Sequence, residues 1–131
     1  MTDIFIAKYN ASGEVVWAKQ AGGVDLDGGA AGVVDGSGCS IITGYFKGTA
    51  TFDTKTLIGE GWQSMFIAKY DNSGNLLWAK KAISEGSVIA GNIAVDGLDN
   101  CLVTGWFSGT AIFDSATLPG NASFKEIFIV K

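Results

Sequence analysis

Phe5-Ile6-Ala7-Lys8-Tyr9 returns as Phe66-Ile67-Ala68-Lys69-Tyr70, and the remainder of the chain follows the same spacing. Trp17-Ala18-Lys19 recurs as Trp78-Ala79-Lys80, and Val34-Asp35-Gly36 as Val95-Asp96-Gly97. Thr43-Gly44-Tyr45-Phe46 comes back as Thr104-Gly105-Trp106-Phe107, while Gly48-Thr49-Ala50 and Phe52-Asp53 match Gly109-Thr110-Ala111 and Phe113-Asp114. Roughly 25 of about 61 aligned positions are identical without a gap, which marks an internal repeat. The first copy runs over about 4–64 and the second over about 65–126; a third begins at Ile127-Phe128-Ile129-Val130-Lys131, so 1–131 reads as one segment of a repeat array.

Each copy reads as strands. Ile4 to Tyr9 is a short apolar run closed by the turn Asn10-Ala11-Ser12-Gly13. In Glu14 to Lys19 both Val15 and Trp17 on one side, and Val16 and Ala18 on the other, are apolar, the pattern of a strand covered on two faces. Ala30 to Asp35 predicts a third strand, ended by Asp35-Gly36-Ser37-Gly38, and Ser40 to Phe46 a fourth, continued through Thr49 to Phe52 after a kink at Gly48. The turns carry Asn, Asp, Ser and Gly, which tolerate left-handed backbone or bond their own main chain. No segment has a helical period of useful length.

Four strands per unit, glycine-rich turns and repetition predict an all-β chain of β-propeller blades, four-stranded antiparallel sheets that stack face on face. On this reading Trp17, Trp78, Phe46 and Phe107 fill the gaps between neighbouring blades. Ala30 to Asp35, rich in small residues, is the strand nearest the central channel, and one whole blade runs from about Ala30 to Lys81. That amounts to about two blades per chain, fewer than the four a closed ring needs. A parallel β-helix and a sandwich of two similar halves are the rival folds.

The motifs Ile-Phe-Ile-Ala-Lys-Tyr (4–9), Ser-Gly (12–13), Trp-Ala-Lys (17–19), Val-Asp-Gly (34–36), Thr-Gly-Tyr-Phe (43–46) and Gly-Thr-Ala-Thr-Phe (48–52) together resemble the SBBP-type β-propeller repeat of bacteria and archaea. The resemblance covers essentially the whole chain. It implies a propeller that belongs to a large surface or secreted protein, and it implies no enzyme activity.

Composition narrows the function. The 131 residues are 47% apolar and 17% charged, with 19 Gly and one Pro. Net charge is −4, and all nine bases are lysines, so clustered phosphate contacts and arginine base readout are both missing; nucleic acid is not an expected partner. The absence of His removes Ser-His and Cys-His nucleophiles and His-ligated metal. No apolar run approaches the ~18 residues of a membrane span. The first residues lack the basic and apolar segments of a signal peptide, so export would use a signal outside this stretch.

Several residues invite a chemical reading and each has a plainer one. Asp25-Leu26-Asp27-Gly28-Gly29 resembles a calcium loop but lacks the further oxygen ligands and closing Glu, and the second copy, Ser84-Glu85-Gly86-Ser87, lacks both carboxylates; a solvated acidic turn is the favoured reading. Asp35 and Asp96 recur at matched positions, as do Asp53 and Asp114, which suits turns or caps better than an acid–base pair. Cys39 and Cys101 do not match (Cys101 aligns with Ser40) and are read as free thiols, with no metal-ligand spacing. Trp62, in Gly59-Glu60-Gly61-Trp62-Gln63, reads as a platform for a sugar, a contact to a partner chain or a plug over a blade edge. Asn10-Ala11-Ser12 and Asn121-Ala122-Ser123 fit the glycosylation pattern.

The expected role is a non-enzymatic binding or assembly module, with a carbohydrate-binding propeller as the alternative. The expected partners are copies of the same chain closing a ring, or further repeats of a longer chain, with glycans as a lesser option. No cofactor is expected, calcium being the weak exception.

Overall fold

A computed structural model describes residues 2–131, and every regular element among them is a β-strand. In chain order these are β1 (Ile4–Tyr9), β2 (Val15–Gly22), β3 (Gly28–Val34), β4 (Ser40–Phe46), β5 (Thr49–Phe52), β6 (Lys55–Ile58), β7 (Ser64–Tyr70), β8 (Leu76–Ser84), β9 (Ser87–Val95), β10 (Cys101–Ser108), β11 (Ala111–Phe113), β12 (Ala116–Leu118) and β13 (Glu126–Val130).

They form three antiparallel sheets, in the orders β1-β2-β5-β6, β3-β4-β7-β8-β11-β12 and β9-β10-β13. The middle sheet holds a whole blade, β3-β4-β7-β8, bounded by two partial ones. The first sheet has the outer pair of strands and the third has the inner pair plus its neighbour. The sheets stack as propeller blades.

The stretch after Phe46 departs from the expectation of a continued fourth strand. Gly48 turns the chain with φ +66°, and Thr49–Phe52 becomes a separate strand that pairs with β6 and then with β2 of the preceding sheet. The second copy repeats the move: β11 pairs with β12 and with β8 of the middle sheet. Each unit therefore sends a hairpin across to clasp the blade before it. Asp53 and Asp114 make these hairpins possible by adopting left-handed backbone at the turns, φ 49° and 47°. Their carboxylates then bind Lys19 (3.2 Å) and Lys80 (3.0 Å) on β2 and β8, tying each hairpin to the strand it joins.

The other turns share one local device. Asn10, Asp35, Asp71 and Asp96 each accept, on Oδ1, the amides two and four residues on. The left-handed position of each turn is Gly13, Gly38, Gly74 and Asp99. Of the glycosylation-pattern residues, Asn10 is a full anchor of this kind, and Asn121 accepts the Ser123 amide two residues on.

Between the sheets lie two apolar clusters. The first joins Ile4, Trp17, Ala21, Phe52 and Leu57 of the first sheet to Phe46, Phe66, Ala68, Tyr70 and Ala79 of the second. The second joins Ile41, Met65, Ala82 and Phe113 of the middle sheet to Val88, Ile93, Val103, Phe107 and Phe128 of the third. On β7 alternation divides the labour: Phe66, Ala68 and Tyr70 face the first sheet, while Met65 and Ile67 face the third. This two-sided burial is why the strands are apolar on both faces.

Candidate functional site

The acidic turn Asp25–Asp27 sits between β2 and β3. Asp27 is buried, and its carboxylate accepts the Gly23 amide at 2.7 Å on Oδ2 and the Lys47 amide at 3.2 Å on Oδ1. Burial raises its pKa, with Asp3 and Asp25 adding to the rise. Asp3 is itself engaged with Gln20 at 2.6 Å. Asp27 thus organises backbone, and among the described residues no three His, Cys, Asp or Glu side chains gather as a metal site.

Asp35 and Asp96 are turn anchors that also form ion pairs. Asp35 Oδ2 lies 2.6 Å from Lys69 Nζ with its side chain wholly enclosed, and Asp96 Oδ2 lies 2.6 Å from Lys131 Nζ. Their matched partners, Lys69 and Lys131, sit on β7 and at the end of β13, so the pair pins the third strand of a blade to the end of its innermost one. The Lys69 ammonium holds the Asp35 carboxyl below the usual range, and Lys131 does the same for Asp96. Cys39 and Cys101 are free and half-buried, and burial pushes the Cys101 thiol up.

Trp62 is exposed on the β6–β7 loop. Its amide donates to the Gly86 carbonyl at 2.7 Å, and the Lys47 ammonium lies 5.0 Å from the ring centroid.

Trp17, Phe46 and Phe107 are buried between sheets, whereas Trp78 is 36% exposed. Trp17 stacks obliquely on Tyr70, centroids 5.9 Å apart, and its indole N–H donates to the Asn72 carbonyl. Trp78 has no aromatic partner among the described residues.

The outer faces of the end sheets form the largest unexplained feature. Phe5 on the first sheet is 81% exposed, while its repeat counterpart Phe66 is fully buried. Ile127 on the third sheet is 85% exposed, while its counterpart Met65 is 3% exposed. Tyr9 and Ile129 are exposed beside them. Composition conceals these surfaces; only alignment of the copies reveals them.

Two clefts adjoin these faces. One, of about 690 Å³, lies between β1 and the inner strands β3 and β4, lined by Ile4, Ile6, Ala31, Val33 and Ile42. The other, of about 490 Å³, lies beside β13 and the outer half of the middle sheet, lined by Met65, Ile67, Trp78, Val103 and Val130.

No protein-family model matches the chain. An uncharacterized WD repeat-containing protein of Acanthamoeba polyphaga mimivirus is 29% identical over 147 aligned positions, covering 89% of this chain and 11% of the relative. The chain therefore spans about a tenth of the relative's length. The likeness agrees with a repeat of the β-propeller type.

Proposed function

We propose that this chain is a non-enzymatic β-propeller module of the SBBP type, working outside the cell or on its surface, whose activity is to associate with blades of its own kind. The observation that carries the reading is the pairing of an exposed Phe5 and an exposed Ile127 with buried counterparts at Phe66 and Met65. The two free faces repeat the two halves of the internal blade contacts, so each presents the chemistry that the other is built to cover. Such a head-to-tail contact is heterologous and closes into a ring if the rotation allows. The extracellular setting is supported by the repeat motifs, and the absence of catalysis by their pattern and by the lack of His.

Light scattering across a concentration series tests this. The chain should associate, and Phe5→Lys should return it to monomer without lowering the Tm measured at high dilution. A wild-type chain that stays monomeric throughout overturns the reading.

A second reading, glycan capture, draws on Trp62: its ring is exposed and its backbone is anchored to Gly86. A glycan array with wild type and Trp62→Ala decides it; binding by both, or by neither, removes Trp62 as a sugar platform.

A further inference from the structure

We infer that copies of this chain join by strand exchange, the β1–β2 hairpin of one copy replacing β13 of the next. The inference rests on the association proposed above and specifies its geometry.

The repeat places β13 and β1 in the same slot. β13 pairs antiparallel with β10 through Val103↔Val130, Thr104↔Ile129 and Gly105↔Phe128. The middle sheet has the same arrangement where β4 pairs with β7 through Ile42↔Ala68, Thr43↔Ile67 and Gly44↔Phe66. The sequence Ile127–Lys131 aligns with Ile4–Lys8, so β1 carries the side chains that this slot accepts. β13 fills it less fully, with five residue pairs against the seven that join β4 to β7.

Strand polarity selects exchange over simple addition. In a propeller every blade runs in the same sense, so β1 must run as β7 and β13 do. Placed beside β13, it would lie parallel to that strand; restoring an antiparallel ladder there would invert the incoming copy. Replacing β13 keeps both the antiparallel ladder and the blade sense.

The two clefts fit the two hairpins that exchange would insert. With β1 in the β13 slot, β2 of the incoming copy lies in the cleft lined by Trp78 and Val103. Reciprocally, β9 and β10 of the first copy enter the cleft between β1 and β3–β4 of the incoming one. The free edges of β1 and of the third sheet disappear together. Two side-chain partners are also supplied. Lys8 aligns with Lys69 and Lys131, so it meets Asp96, which β13 otherwise satisfies through Lys131. Tyr9 aligns with Tyr70, so it meets Trp78 as Tyr70 meets Trp17. Each copy then contributes two blades, and rings of two, three or four copies have four, six or eight.

β13 is thus an intramolecular competitor that sets how readily the chain assembles. In a Cys39→Ser, Cys101→Ser background, T104C combined with I6C should give disulfide-linked multimers on mild oxidation, because these positions face each other only after exchange. T104C combined with I129C should instead lock β13 onto β10 within one chain and hold the protein monomeric until reductant is added. Deletion of residues 126–131 should move assembly to at least about tenfold lower protein concentration; the disulfide pair remains decisive if that deletion unfolds the third sheet. If wild type associates but T104C/I6C yields no intermolecular link and the T104C/I129C lock leaves association unchanged, strand exchange is overturned and association by faces alone remains. A chain monomeric at every concentration overturns both.

Discussion

Trp17 and Tyr70 meet across the boundary between two sheets, their ring centroids 5.9 Å apart and their planes inclined at 33°. The contact joins two copies of the repeat, and Trp78 and Tyr9 are its counterparts by alignment, which the proposed exchange would bring together. Tyr70 is fully buried, yet its hydroxyl finds no hydrogen-bond partner.

Tyr70→Phe should therefore keep or raise Tm, since it retains the stacked ring and removes an unsatisfied polar group. Burial, aided by the charge of Asp53, pushes the Tyr70 pKa from 10.0 to about 12. The folded state thus holds its proton where the unfolded state has released it, so stability falls as pH rises from about 10 towards 12. Alkaline unfolding curves of wild type and Tyr70→Phe should diverge in that window, the variant losing less. Parallel curves would show that the hydroxyl does not titrate as its burial demands.

The enclosed pair Asp35–Lys69 predicts the opposite limb. Lys69 lowers the Asp35 pKa, so this stabilisation is present above the usual carboxylate value of 3.8 and is lost as pH falls through the lower folded value. Lys69, raised by Asp35, contributes below 10.5 and loses its contribution as pH climbs through its raised value. Asp35→Asn should lower Tm near neutral pH and flatten the acid dependence of stability. Asp114→Asn, breaking a pair whose side chains are largely exposed, should change stability by no more than about 0.5 kcal/mol. Equal losses in thermal melts would contradict the ranking.

The two-faced strands and the repeat were legible because identical residues 61 apart share one environment inside the array. Phe46 and Phe107 read as gap fillers from the repeat, and both are buried between sheets. The clasp of β5–β6 onto β2 was not, because a four-residue strand carries no information about which neighbour it joins. Thr49–Phe52 reads as well continued along β4 as turned onto another sheet. The decisive signal is Asp53, whose left-handed backbone closes the hairpin, and an aspartate can serve many turns. Among the site residues, recurrence pointed to turn roles for Asp35 and Asp96, but their lysine partners lie on distant strands. Trp78 reads as a gap filler like Trp17, yet it is 36% exposed.

The recurring Thr-Gly dipeptide has a steric origin that mutation can expose. A Cβ at Gly44 would collide with the Gly28 carbonyl oxygen and press on the Phe66 ring, and one at Gly105 would meet the Ile89 carbonyl and Phe128 in the same way. β3 and β9 are irregular opposite these glycines, which brings backbone close. Gly44→Ala or Gly105→Ala should cost about 3 kcal/mol, the upper end of the usual range for overpacking. Gly97→Ala, with open space around it, should be nearly neutral by chemical denaturation. A tolerated Gly44→Ala would mean that the two inner strands can separate more easily than their register implies.

Phe5 and Phe66 are the same residue at the same repeat position, and they should answer to truncation in opposite ways. Phe66 is fully enclosed against Phe52, centroids 4.8 Å apart, so Phe66→Ala should cost about 4 kcal/mol of folding stability. Phe5 faces solvent, so in a dilute monomer Phe5→Ala should leave Tm almost unchanged. At concentrations where the chain associates the order changes, because Phe5 is then enclosed as Phe66 is, and its truncation weakens assembly. Melting each variant at low and high protein concentration separates the cases: the Phe66→Ala deficit is present at both, and the Phe5→Ala deficit grows with concentration. If Phe5→Ala lowers Tm equally at every concentration, Phe5 acts within the folded chain and the free face of the first sheet is not a contact surface.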